Sequence, residues 1–243
     1  MVLTRKNIPE LVEGVDPSTF RVHAPTAVIF LCGGPFDATS TFPKSLRDAF
    51  MRIDAEKPAA HYKVRLAEEL NIFFLTRGAY KDILTFEQDI AQISELILLF
   101  SESFGSAAEL GAFAITDEIA KRLLVVMDDK NYKDNSFVRL GPILALENQY
   151  GESVVCVLNR TEINIKDISK TETLDMRVFG ERVKNAVRAR LLSIHERTTF
   201  DPEREGHIIK LIVGLIQHYG ALTSDEIEVL LYCLGVKFNG NRI

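Results

Sequence analysis

The chain has 243 residues, a net charge of −5, 47% hydrophobic and 26% charged residues, three cysteines and five histidines. Such figures describe an ordinary globular protein with room for one α/β domain and a smaller second part. They exclude a protein that coats nucleic acid with its whole surface, and no apolar run approaches the roughly 20 residues that span a bilayer. The opening MVLTRKNIPELVEG lacks the apolar centre of a secretory signal, and Cys32, Cys156 and Cys233 lie far apart. Buried free thiols in a reducing cytoplasm are the reading, without a disulfide framework. The histidines have no metal-ligand spacing, so no metal is expected.

In chain order, a polar N-terminal arm (1–24) precedes TAVIFLC (Thr26–Cys32), a fully apolar strand that stops at Gly33-Gly34-Pro35. Similar runs recur at NIFFL (Asn71–Leu75), ELILLF (Glu95–Phe100), RLLVVM (Arg122–Met127) and SVVCVL (Ser153–Leu158). Strands apolar on both faces suit a central parallel sheet covered by helices on both sides. Helical spacing fills the gaps: SLRDAFMRI, FEQDIAQI, SAAELGAFAITDEIA and GPILALENQ. The alternation predicts a doubly wound, mainly parallel five-stranded Rossmann-like sheet over residues 25–165, with its site at the carboxyl ends of the strands.

Around Asn159–Thr173 the chain turns polar, and a second domain is expected over 174–243. Leu174–Arg197 reads as an amphipathic helix with Val178, Phe179, Val183, Val187 and Leu191 on one stripe, and a further helix spans about His207–Tyr219. Thr223-Ser-Asp-Glu226 is a capping-box pattern that opens a third. Together they suggest a partial helix-turn-helix of winged-helix type. The chain ends at GVKFNGNRI, where a recognition helix and wing are expected, so it reads as shorter than a whole gene product. The stretch Arg177–Arg197 is basic inside an acidic chain, which makes Arg182, Lys184, Arg188 and Arg190 candidates for phosphate contacts; a solvated helix face explains them equally well.

The stretch richest in chemistry is FSESFGSAAELGAFA (Phe100–Ala114), where an apolar strand gives way to a Ser/Gly loop and a helix expected to begin near Ser106. That geometry aims backbone N–H groups at an anion above the strand. Ser101, Ser103 and Ser106 add hydroxyls suited to ribose or phosphate. Gly33 and Gly34, with Phe36 and Asp37 beyond them, make a second close-approach loop. Glu109 is the candidate nucleophile, although Ser106-Ala-Ala-Glu109 also reads as a capping box. Glu87, ahead of Asp89 in LTFEQDI, is a candidate partner or a solvated first-turn carboxylate.

In order and spacing, VIFLCGGPFD, FEQDIAQISELILLF, GSAAELGAFA and RLLVVMDDKNY resemble the nucleoside 2-deoxyribosyltransferase family. More closely, they are similar to the effector proteins encoded beside bacterial retron reverse transcriptases. The resemblance covers about Val28–Ile143 well and the tail loosely. It implies that Glu109 is the nucleophile cleaving an N-glycosidic bond, that Glu87 is its acidic partner, and that Gly33, Gly34, Ser101 and Ser106 surround a nucleotide. It further implies NAD or a (deoxy)nucleotide as substrate with no cofactor, and a larger assembly or homo-oligomer with reverse transcriptase and multicopy single-stranded DNA. Phe30 stands where the deoxyribosyltransferases carry a tyrosine that helps hold the nucleophile, and the acidic segment before the ELG helix is shorter. Both departures speak against base exchange and leave bond cleavage untouched. A nucleotide-sensing or DNA-binding regulatory module without chemistry is the other class of function.

Overall fold

A computed structural model describes residues 12–24, 26–53, 62–69, 80–168, 170–194 and 198–237. By internal contacts the chain forms two compact units. One comprises Ala27–Ile72 and Ser94–His195; the other comprises Met1–Thr26, Phe73–Ile93 and Glu196–Ile243.

The first unit is built on a parallel sheet of β2 (Val28–Cys32), β3 (Lys63–Leu66), β4 (Leu96–Phe100), β5 (Leu123–Asp128) and β6 (Val155–Leu158), in the order β3-β2-β4-β5-β6. Four of these strands are the apolar runs expected. The fifth, KVRL, was not anticipated, because at the sheet edge it carries two charged residues and half its surface. The run Asn71–Leu75 lies outside the described residues.

In the central strand β4 every side chain is buried on one face or the other. Leu96, Leu98 and Phe100 join a core with Leu46, Ala49 and Phe50 of α1 (Leu46–Arg52) and with Phe179, Val183, Val187 and Leu191 of α7 (Met176–Ser193). Ile97 and Leu99 face the other way. There α3 (Phe104–Ala114) packs on β4 and buries Leu110 and Phe113 completely. Helices therefore cover both faces, which is the reason the strands lack polar alternation. Among the described residues this unit also has α4 (Asp117–Ala120), α5 (Asp129–Lys133) and α6 (Leu144–Tyr150), the last continuing a wider π-helical turn at Arg139–Ile143 that contains Pro142.

Helix α7 departs from the domain boundary expected near residue 170. Its apolar stripe is the one anticipated, but the stripe lies in the sheet's core, and Gly180 lets the helix approach Ile53, whose Cδ1 stands 3.2 Å from where a Cβ would be. A helix 18 residues long with one apolar stripe needs a large flat partner, and the sheet supplies it.

The second unit contains α2 (Ile83–Ile93), α8 (Glu205–Tyr219) and α9 (Ser224–Cys233), with α2 packed on α8. Gly220 ends α8 at φ +87°, and Thr223 with Glu226 forms the expected capping box that opens α9. The N-terminal segment is more than an arm. Strand β1 (Arg21–Val22) pairs antiparallel with β7 (Thr198–Thr199), and Val12 and Val22 enter a core with Phe200, Ile208, Ile227, Leu230 and Leu231. Among the described residues no helix is long and apolar enough to cross a membrane. Cys32 and Cys156 are buried as expected; Cys233 is exposed, because it falls on the outer face of α9.

Candidate active site at the carboxyl edge of the sheet

In the sheet order β3-β2-β4-β5-β6 the chain runs outward in both directions from β2 and β4, so the crevice between their carboxyl ends is the topological switch point, where open α/β sheets take ligands. The loop after β2 begins with Gly33-Gly34, and the loop after β4 is Ser101-Glu102-Ser103. Both glycines are demanded by closeness. A Cβ on Gly33 (φ +149°) would lie 2.8 Å from Phe100 Cβ, and one on Gly34 would lie 2.8 Å from Ser45 Cβ and 3.0 Å from the Glu102 carboxyl.

The crevice already holds an anion supplied by the protein. The Glu102 carboxylate accepts the backbone N–H of Leu46 at 2.6 Å through Oε2, and those of Arg47 and Gly34, each at 3.1 Å, through Oε1. It sits on the N-terminus of α1 and ties the two loops together. Burial pushes its carboxyl above the ordinary glutamate range, while the three backbone donors pull it back. In FSESFGS the serines stand out as candidate donors, and Glu102 between them does not. Its signal was an acidic residue directly after a buried strand, facing a helix start that carries no acid at its first position.

The serines also take different parts from those expected. Helix α3 begins at Phe104, two residues before Ser106, with Ser103 as its cap. Ser106 N–H donates to Ser103 Oγ at 3.1 Å, and Ser106 Oγ accepts the N–H groups of Ser103 at 2.9 Å and Glu102 at 3.1 Å. Ser106 is 1% exposed, so its hydroxyl serves the helix start and is no ribose or phosphate donor. Because Ser106 occupies the third helical position of the box, Glu109 is not the capping residue. It shares a stripe with Ser106, Leu110 and Phe113, the inward face of α3, and its Oε2 is shielded from solvent. Ser101 is 9% exposed at the mouth of β4.

Around this centre the loops are held by ion pairs. Asp48, fully buried, accepts from Arg52 Nε at 2.7 Å and from the N–H groups of Lys44 at 2.8 Å and Asp37 at 3.4 Å. Burial opposes ionisation of Asp48, but the Arg52 hydrogen bond and the two amides outweigh it and hold the carboxyl below its usual range. Arg52 also donates to the carbonyls of Asp37 and Ser40, at 2.7 and 2.8 Å. Asp37 spends its own side chain on a turn, accepting from Thr39 N–H and Oγ1, while Phe36 stands exposed on the same loop. At the end of β5, the buried Asp128 caps α5 and accepts from Arg160 Nε at 2.6 Å.

Beside α3, the turn Arg139–Ile143 brings a polar cluster that no motif announced. Tyr132 donates to Glu147 at 2.7 Å, and Arg139 pairs with Glu147 at 3.0 Å while its guanidinium lies 4.4 Å over the Tyr132 ring. The Glu147 hydrogen bond, then burial, raise the Tyr132 hydroxyl above its ordinary value. Phe30 is fully buried beside Ile97, on the α3 side of the sheet, and contributes no hydroxyl.

Two expectations need correction. Glu87 is no solvated carboxylate: it is 8% exposed on α2, in the unit that contains the C-terminal helices, while Glu109 belongs to the sheet unit. Its neighbour Asp89 accepts from the Tyr80 hydroxyl at 2.9 Å. Arg190 is no surface cation either. It is 3% exposed, and its guanidinium donates to the carbonyls of Leu123 at 3.0 Å and Lys121 at 2.8 Å, so it locks α7 to the start of β5. On α7, Arg182 and Arg188 are exposed and Lys184 is half-buried.

The fold and site define a doubly wound α/β protein with a Gly/Ser crevice at the switch point and a carboxylate on the inner stripe of the adjoining helix. The chain belongs to the STM3845 retron effector protein family, whose model matches residues 43–243. It is 35% identical over 92 residues to an Escherichia coli protein named "Retron Ec73 putative ribosyltransferase/DNA-binding protein", a match covering 33% of this chain and 29% of that one. With the likewise named protein of retron Ec86, also from Escherichia coli, it shares 29% identity over 130 residues, covering 52% of this chain and 39% of the other. The chain thus spans less than half the length of either relative in these matches.

Proposed function

We propose that this retron effector cleaves the N-glycosidic bond of NAD or a (deoxy)nucleotide, with Glu109 as the nucleophile. The observation that carries the reading is the position of Glu109. Ser103 and Ser106 take over the capping of α3, which leaves the Glu109 carboxylate beside the apolar Leu110 and Phe113 on the inward stripe of the helix that follows the Ser/Gly loop. A carboxylate there attacks the anomeric carbon as the carbon–nitrogen bond breaks, the electron pair leaves with the base, and water then releases the sugar from the ester. A cationic leaving group such as nicotinamide departs without prior protonation. Glu87 is the acidic partner that the family resemblance implies.

The names of both relatives support glycosyl chemistry joined to DNA binding. We accordingly assign the reaction to anti-phage defence, held in check by the retron reverse transcriptase and its multicopy single-stranded DNA, with Arg182, Lys184 and Arg188 as phosphate contacts. The deciding experiment incubates purified chain, and its Glu109→Gln variant, with NAD and with nucleotides, and follows free base by chromatography. Base release by the wild type and a loss of about a thousandfold or more in the folded variant are expected, since the amide is isosteric but a poor nucleophile. Equal turnover in both would overturn the nucleophile assignment.

A further inference from the structure

Helix α3 has one charged residue, Glu109, among its 11. A helix apolar on every side is ordinarily enclosed on every side, yet the sheet covers only one side of α3. Phe104, Ala108, Gly111 and the C-cap residue Ile115 recur at helical spacing and form one stripe, turned away from Leu110 and Phe113. That stripe faces solvent, with Phe104 100% and Ile115 83% exposed.

A second stripe continues it. The crossovers β4–α3–β5 and β5–α6–β6 step the same way across the sheet, which sets α3 and α6 side by side on one face. The turn Arg139–Ile143 that leads into α6 touches α3. Along it Phe137, Leu140 and Leu144 are exposed, Phe137 at 85% with its ring lying against Gly141. On the opposite face α7 turns Glu181, Arg182 and Arg188 to solvent, so an uncharged outer surface is particular to the α3 side. The five exposed apolar side chains leave on the order of 600 Å² open. This is the upper end of the roughly 300–600 Å² patch that a monomer carries, and near the roughly 800 Å² per partner that a stable interface buries.

We propose that a second copy of the chain docks on this face, α3 against α3 about a twofold axis. The stripe is complementary to itself. An axis passing between Ala108 and Gly111 sets Phe104 of one copy beside Ile115 of the other, and Ala108 beside Gly111. Large side chains then meet at both ends, and small residues meet at the centre, where the two helix backbones approach. The stripe carries no charge, so identical copies meet without like-charge repulsion. Glu109 lies off this stripe, and the inference does not depend on the proposed chemistry.

The test is sedimentation velocity of the full chain over a range of about 1–100 μM, where interfaces of modest size dissociate. The wild type should populate a dimer in that range. Phe104→Glu and Ile115→Lys alter exposed side chains, so each should melt near the wild type. Each places a charge against an apolar partner and should weaken association at least about tenfold. An equimolar mixture of the two should recover the dimer, because the twofold sets the introduced carboxylate of one chain beside the introduced ammonium of the other. A wild type that stays monomeric throughout, or a dimer that either variant leaves intact, would overturn the proposal. A dimer weakened by both variants and not recovered in their mixture would do the same, by rejecting the antiparallel register. If a monomeric wild type binds purified reverse transcriptase and Phe104→Glu does not, the face belongs to that protein and the second copy is excluded.

Discussion

The Glu102 carboxylate accepts the backbone N–H of Leu46 at 2.6 Å, so the loop that ends β4 caps the helix that follows β2. An anion-binding helix start at the switch point is thereby filled from within the protein; Gly34 leaves room for that side chain, and Gly33 for Phe100.

Loss of Glu102 should be felt in stability first. Glu102→Ala removes an acceptor from three buried N–H groups, at about 1–3 kcal/mol for each donor left without a partner, and frees the Gly34 loop. Denaturant unfolding checks this. The pH dependence has a definite sign: the folded carboxyl keeps its proton to higher pH than the unfolded value of 4.5. The folded state therefore binds more protons between those two values, and this group's contribution falls as pH rises through that window. Glu102→Gln should abolish that slope; an unaltered slope would assign it to another group.

Ser103→Ala tests whether the start of α3 has been read correctly. Removing the cap hydroxyl should cost about 1 kcal/mol, with Ser106→Ala similar, because the two hydroxyls bond each other and the first turn. Glu109→Gln should cost far less stability than either. A melting point lowered most by Glu109→Gln would return that carboxylate to a structural role.

Arg190 and its neighbours on α7 should separate cleanly. Arg190→Met orphans the Leu123 and Lys121 carbonyls and should destabilise the sheet unit by roughly 2–4 kcal/mol. The triple change of Arg182, Lys184 and Arg188 to Gln should leave the melting point near that of the wild type and weaken binding to single-stranded retron DNA, flattening the salt dependence by a slope of about 0.7 per lost phosphate contact. DNA binding with an unchanged salt slope would make the basic stretch a solvated helix face.

Cys156 offers an alkaline test. Burial pushes its thiol up to about 11 from the usual 9.0. Folded stability from keeping the thiol neutral is complete below pH 9 and is lost as pH rises through 11, by about 2–3 kcal/mol. Cys156→Val should remove that loss. At neutral pH a thiol reagent should modify Cys233 rapidly and leave Cys32 and Cys156 untouched in the folded chain.

The central strands were legible in the sequence because a strand buried on both faces must be apolar throughout, and Val28–Cys32, Leu96–Phe100 and Leu123–Asp128 could be little else. The cap at Thr223 was legible for a local reason, a hydroxyl just before a helical period with a glutamate three residues on. Glu109 stands out in the sequence only through its ELG motif and family resemblance; its local pattern suggested a cap, a part that Ser103 and Ser106 take in the structure. The tertiary structure decided the rest. Helix α7 has a stripe that any flat apolar surface could satisfy, and the sheet took it. Arg190 differs from Arg188 by two positions, so one turns outward while the other meets two carbonyls in the interior. Glu102 looks like a loop charge until the amides of a helix 56 residues away in sequence close around it, which no local pattern encodes.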